Sequence, residues 1–210
     1  MEMTQGMSEQ ETSGLIDDFL GSAHVLAAIV ADAIEAESLR EAGGIPVTLS
    51  QLKLLKLVSM TEAQTISDVA AVLGVSNAAA SKAVDKLVRM MLLRRSEGET
   101  DRRSIHLSLT EPSRRLLAAY QAARLRKLEQ VFGSFELNDL RQAAQLLDRI
   151  SARIVEQGVR EGQMCLQCGI YFREKCVLRE LTGRQCLFQH HKERSGRRGS
   201  EPAAPADMRK

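Results

Sequence analysis

A chain of 210 residues, 44% hydrophobic and 3% aromatic, has room for one compact domain and an appendage. It lacks tryptophan and is rich in Leu, Ala and Val, which favours a mostly helical core over a sheet core. A formal net charge of +2 excludes a chain that is basic throughout, so any affinity for nucleic acid has to come from a local patch.

Residues 1–12 are polar and acidic, unlike a signal peptide, and are expected to form a disordered lead. Thr12 or Ser13 can then cap a long helix to Arg40, opening a folded domain expected over 13–158. Its apolar face holds Leu15, Phe19, Leu26, Ile29 and Ala33, widened by Ile16, Leu20, Val30 and Ile34. That stripe is broader than one small domain needs, so part of it is expected to meet a second subunit. Asp17, Asp18, Asp32, Glu35, Glu37 and Glu41 read as a solvated face. No run reads as long and apolar enough to span a bilayer, and a cytoplasmic chain with reduced thiols is expected. Gly43, Gly44 and Pro46 stop the helix.

Thr48-Leu49-Ser50-Gln51 fits a capping box, and the helix behind it carries Leu52, Leu55, Leu57 and Val58. Next comes the stretch on which function rests, Thr65 to Thr110. Ser67 can cap a short helix through Leu73, Gly74 ends it, and Val75 is expected to plug the corner. Ser76 caps a second helix to about Met90, apolar at Ala79, Ala80, Ala83, Val84, Leu87 and Val88. Its other face bears Asn77, Ala78, Ser81, Lys82 and Lys86, side chains short or basic enough to lie against DNA. Leu92–Ser96 and Ser104–Leu109 read as strands around a polar turn, with Ile105, Leu107 and Leu109 alternating with His106 and Ser108. The bases Lys82, Lys86, Arg89, Arg94, Arg95, Arg102 and Arg103 outnumber the acids here. Arg102 or Arg103 is expected to enter a minor groove.

This stretch resembles the MarR family of winged-helix transcriptional regulators, most specifically in Asp101-Arg102-Arg103-Ser104 leading into a strand and Leu109-Thr110. The likeness runs from about Leu15 to Glu156, with two departures. Met91 stands where the family has a glycine before the wing, and Pro112-Ser113 replace a Lys-Gly. Thr110 is expected to cap a helix to about Phe132, Gly133 to break the chain, and a last helix to run from Leu137 to about Gln157. That helix is apolar at Leu140, Ala144, Leu147, Ile150, Ile154 and Val155. The resemblance implies that the long helices before and after the wing build a homodimer. It also implies that two recognition helices enter successive major grooves of a pseudo-palindromic double-stranded DNA operator.

Beyond Gly158 and Gly162, a module over 163–191 holds all four cysteines: Cys165 and Cys168 as C-x-x-C, then Cys176 and Cys186. Four thiolates suit one tetrahedral site, zinc or an iron–sulfur cluster, with His190 and His191 as spare ligands. A thiol/disulfide switch at Cys165/Cys168 and four unligated structural cysteines are the other readings. The basic tail, 192–210, is expected to be disordered and solvated. His24 and His106 stand alone, and no nucleophile elbow, phosphate loop or HExxH is present, so no enzyme is expected.

The fold class is therefore mostly α: a winged helix-turn-helix with long dimerisation helices and a cysteine-rich module. The expected function is a dimeric, sequence-specific DNA-binding regulator, a repressor, whose metal site senses metal or redox state. The alternatives are a winged-helix protein-interaction module with structural zinc and, third, a thiol oxidoreductase using Cys165/Cys168.

Overall fold

The computed structural model describes residues 8–60, 65–73, 75–97 and 105–159, together with 171, 173, 176, 179 and 180. The elements are α1 (Glu9–Ile29), a π-helical turn (Val30–Ala36), α2 (Glu37–Ala42), α3 (Leu49–Met60), α4 (Ile66–Leu73) and α5 (Asn77–Arg89). Then follow β1 (Leu93–Glu97), β2 (Ile105–Leu109), α6 (Glu111–Phe132), α7 (Leu137–Ile154) and a second π-helical turn (Val155–Val159). This is the mostly helical winged helix-turn-helix expected. The described residues form two compact units, one of the chain up to Ile45 with Ala118–Gly133, the other of Pro46–Leu117 with the chain from Ser134 onward.

In the first unit the long helix starts earlier than residues 12–13. Ser8 is the cap: its Oγ accepts from Glu11 N–H at 3.2 Å, while the Glu11 carboxylate accepts from Ser8 N–H at 2.8 Å. Residues 9–12 of the expected lead are therefore helical, because a reciprocal capping box satisfies the open N-terminus. The carboxyl of Glu11 is held below its ordinary range by these bonds.

The stretch Glu9–Ala42 is long and apolar enough, by composition alone, to cross a membrane, which corrects the expectation that no run reaches this. The helix has many acids, but none falls between Asp18 and Asp32. Leu15, Ile16, Leu20, Val25, Leu26 and Ile29 are all exposed. Within the π-helical turn and past it the helix is packed instead, with Ile34 of the turn and Ser38 of α2 buried. Glu37 accepts from Lys127 Nζ of α6 at 2.9 Å, and Glu41 pairs with Arg126. Tyr120 and Ala123 of α6 are buried in the same unit.

The second unit is built around α3. Its capping box is as expected: Thr48 N–H donates to Gln51 Oε1 at 2.8 Å, and Gln51 N–H to Thr48 Oγ1 at 3.2 Å. Leu52, Leu54, Leu55, Leu57 and Val58 are all buried, so the helix is enclosed around most of its girth, as a central support must be. Each fully buried leucine stabilises by about 1.5–3 kcal/mol. Val69 and Ala70 of α4 complete the packing under the helix-turn-helix.

Two local expectations are corrected here. The cap position of α4 is Thr65, whose carbonyl accepts from Val69 N–H at 3.1 Å; Ser67 lies inside the first turn. Val75 does not plug the corner but is exposed; its N–H closes the corner by donating to Ala70 O at 3.0 Å. Gly74 lies outside the described residues.

The wing strands pair antiparallel, with Leu93 opposite Leu109, Arg95 opposite Leu107 and Glu97 opposite Ile105. In α7 the buried residues are Asp148 and Ala152. The expected stripe is only partly covered in the single chain: Leu140 and Ile150 are half-buried, Leu147 and Ile154 exposed.

Candidate nucleic-acid interface

Ser76, with φ −68° and ψ 157°, leaves the helical region, and its Oγ accepts from Ala79 N–H at 3.2 Å. That bond fixes where α5 begins. Ala80, Val84 and Leu87 recur at helical spacing and are buried, so the helix is held from beneath. The opposite face is open as predicted: Asn77, Ala78, Lys82 and Lys86 are exposed, and Ser81 is half-buried. Ala79, assigned to the buried stripe, is exposed as well, because at the first turn nothing of the core reaches over it. The N-terminal half of this face is thus formed by short side chains and the C-terminal half by cations, including exposed Arg89. A helix with that outline can approach base edges closely while its charges meet phosphates.

The connection to the wing explains the departure at Met91. Leu92 N–H donates to Leu87 O at 2.9 Å and Met91 N–H to Val88 O at 2.9 Å. This is a Schellman closure, which needs a left-handed residue after the cap. Met91 supplies it with φ 57°. The methionine thus takes the conformation a glycine would take, and the wing leaves α5 through an ordinary helix stop. Leu87 and Leu92, both buried, provide the apolar contact of the motif. Thr110 sits at the cap position of α6, its carbonyl accepting from Arg114 N–H at 3.1 Å. Its hydroxyl donates instead to Met91 O at 2.7 Å, so the threonine expected only as a helix cap also ties the end of β2 to the turn before β1.

Alternation in the ribbon puts Leu93 and Leu107 inward and Arg94, Ser96 and Ser108 outward. His106 lies on the outward side, half-buried. Arg95 Nη2 reaches Asp85 Oδ1 of α5 at 2.8 Å, a contact no sequence spacing revealed. The pair joins the wing to the recognition helix and neutralises the one acid of α5. Arg94, exposed on the outer face, is the wing base sequence reasoning did not single out as a site residue. Asp101, Arg102, Arg103 and Ser104 lie outside the described residues.

So do Cys165, Cys168 and Cys186. Cys176 is a half-buried free thiol. Among the described residues no group of three or more His, Cys, Asp or Glu is placed to hold a metal ion.

The arrangement defines a winged helix with a presented recognition helix. Residues 47–105 match the model of the MarR family. Over that segment the chain is similar to the MarR family, and solved structures of MarR family transcription regulators share its winged-helix fold. A MarR family transcription regulator of known structure is 24% identical, with 71% of this chain and 97% of that one covered at a TM-score of 0.57. FabT of Streptococcus pneumoniae, solved in complex with DNA, is 16% identical over 66% of this chain and 99% of its own, with a TM-score of 0.56. RV1404 from Mycobacterium tuberculosis is 21% identical over 76% of this chain and 100% of its own, with a TM-score of 0.54. No curated protein matches the chain.

Proposed function

We propose that the protein is a sequence-specific DNA-binding repressor acting as a homodimer. The observation that carries this is the exposed face of α5, small at Asn77 and Ala78 and basic at Lys82 and Lys86, held rigidly from beneath beside a wing. In this reading Asn77 pairs with an adenine and the Ala78 methyl meets a thymine methyl. Lys82, Lys86 and, on the wing, Arg102 and Arg103 supply phosphate and minor-groove contacts. The complex of FabT with DNA supports the reading by likeness of fold.

The homodimer reading rests on the exposed apolar face of α1 and the part-covered stripe of α7. A second copy suits α1 better than a lipid core does, since Asp17, Asp18, Asp32 and Glu35 lie within or beside the apolar stretch. The same proposal gives Cys165, Cys168, Cys176 and Cys186 one metal centre, zinc or an iron–sulfur cluster, in a cytoplasmic chain. Its support is the donor set itself, four thiols with a C-x-x-C pair.

Fluorescence anisotropy against DNA from the protein's own promoter region tests the reading. Asn77→Ala should relax base preference at one position by about 1–3 kcal/mol, and Lys82→Ala should weaken binding and lower its salt dependence. Wild-type affinity in both variants would show that this face does not read DNA. Iron, sulfide and zinc per chain, measured after purification without air, test the metal centre. An absence of metal under supplementation with both would remove it.

A further inference from the structure

Asp148 is a carboxylate on the inner side of α7, its side chain only 8% exposed. A charge so placed is costly unless it is paired and hydrogen-bonded. Its partner comes from none of the helices. Arg173 Nη1 meets Asp148 Oδ1 at 2.6 Å and Nη2 meets Oδ2 at 2.7 Å, two parallel charge-assisted bonds in the fork geometry specific to arginine. Arg173 belongs to the segment that carries the cysteines. Three residues on, Cys176 is half-buried, and its carbonyl accepts from Arg179 N–H at 3.0 Å and Glu180 N–H at 3.3 Å, starting a helical turn. Three residues of chain reach at most about 11 Å, so a change of backbone at Cys176 is passed to Arg173 within a short tether.

We propose that the Asp148–Arg173 pair is the joint through which the cysteine-bearing segment regulates α7. When the thiols bind a metal or are modified, the segment repositions, the fork shifts or opens, and a buried carboxylate on α7 loses its partner. The helix then responds because an unpaired Asp148 is unfavourable where it stands. This deepens the metal reading above and rests on it for the natural trigger, while the joint itself stands on geometry alone.

Amide hydrogen exchange on the reduced full-length protein tests the joint in two arms. In the first, without metal, Asp148→Asn should speed exchange at the Arg179 and Glu180 amides by about tenfold or more, since a charged bidentate pair becomes a neutral contact. The reversed pair, Asp148→Arg with Arg173→Asp, should restore part of the protection, which a variant that merely unfolds would not do. Unchanged exchange in Asp148→Asn would overturn the joint. In the second arm zinc is titrated, with a thiol-alkylating maleimide as trigger if no zinc binds. Either trigger should change exchange along α7 around Ala144–Ala152 in wild type and leave Asp148→Asn unresponsive. An equal α7 response in both proteins would overturn the regulatory role. Zinc failing to bind would count against the metal centre alone, because the first arm and the maleimide trigger do not depend on it.

Discussion

Replacing Met91 by glycine should make the protein more stable. Met91 holds φ 57°, and a left-handed backbone costs a residue with a Cβ about 1–2 kcal/mol. Its side chain is 71% exposed, so removing it forfeits little burial. Glycine gives back about 0.4–1 kcal/mol through the greater entropy of the unfolded chain. The difference is a net gain of roughly 0.5–1 kcal/mol. For a chain of this size that raises the melting temperature by about 1–4 °C. Met91→Ala is the control, since alanine keeps the left-handed penalty. Urea unfolding followed by helical circular dichroism, at one protein concentration because the stability of the proposed homodimer would depend on it, separates the variants. A glycine variant no more stable than the alanine variant would refute the argument. It would mean that the Thr110 bond to the Met91 carbonyl and the Schellman closure do not hold this residue in the strained region.

Three further outcomes are expected. Gly133→Ala should destabilise by about 1–3 kcal/mol in the same assay, because a Cβ there would lie 2.6 Å from the backbone oxygen of Glu129. Arg95→Gln should weaken DNA binding in low-salt anisotropy by up to about 1 kcal/mol with helicity unchanged, since Asp85 would be left as an unneutralised acid on the recognition helix; wild-type affinity would argue against the wing tie. The hydrogen bond and charge of Lys127 hold the Glu37 carboxyl below its ordinary value of 4.5. Its contribution to stability is therefore present above that value and is lost as pH falls through the lowered one. Wild type should lose stability relative to Glu37→Gln as pH falls from about 5 to 3, and parallel melting curves across that range would contradict the pairing.

Most of the fold was legible because its signals are local. The Thr48/Gln51 box, the Ser76 cap and the alternation of the wing strands depend on residues within a few positions of one another, and the structure bears out each. The same signal was present at Ser8 and Glu11, but a polar run with few apolar residues read as a lead. Thr110 shows the limit of local reading: its place at a helix start was legible, yet its hydroxyl serves Met91, distant in sequence. The candidate site divides in the same way. The outer face of α5 follows from helical periodicity and was found, whereas the Asp85–Arg95 tie is tertiary and was not. Arg173 was equally hidden, because nothing in its sequence neighbourhood announces a carboxylate on α7.

The π-helical turn at Val30–Ala36 sets a phase boundary within the longest helical stretch among the described residues. A wider turn takes up one extra residue, and one residue corresponds to about 100° of rotation about a helix axis. The apolar residues ahead of the turn therefore face a different azimuth from the one they would face in an unbroken α-helix leading to Ile34 and Ser38. A single rod thereby serves two masters, its leading half exposed and its trailing half joined through Glu37 and Glu41 to Lys127 and Arg126 of α6. Deleting one residue within the turn would let the helix rewind into a single phase. The two faces would then be re-aimed relative to each other without the loss of any apolar side chain from the leading half.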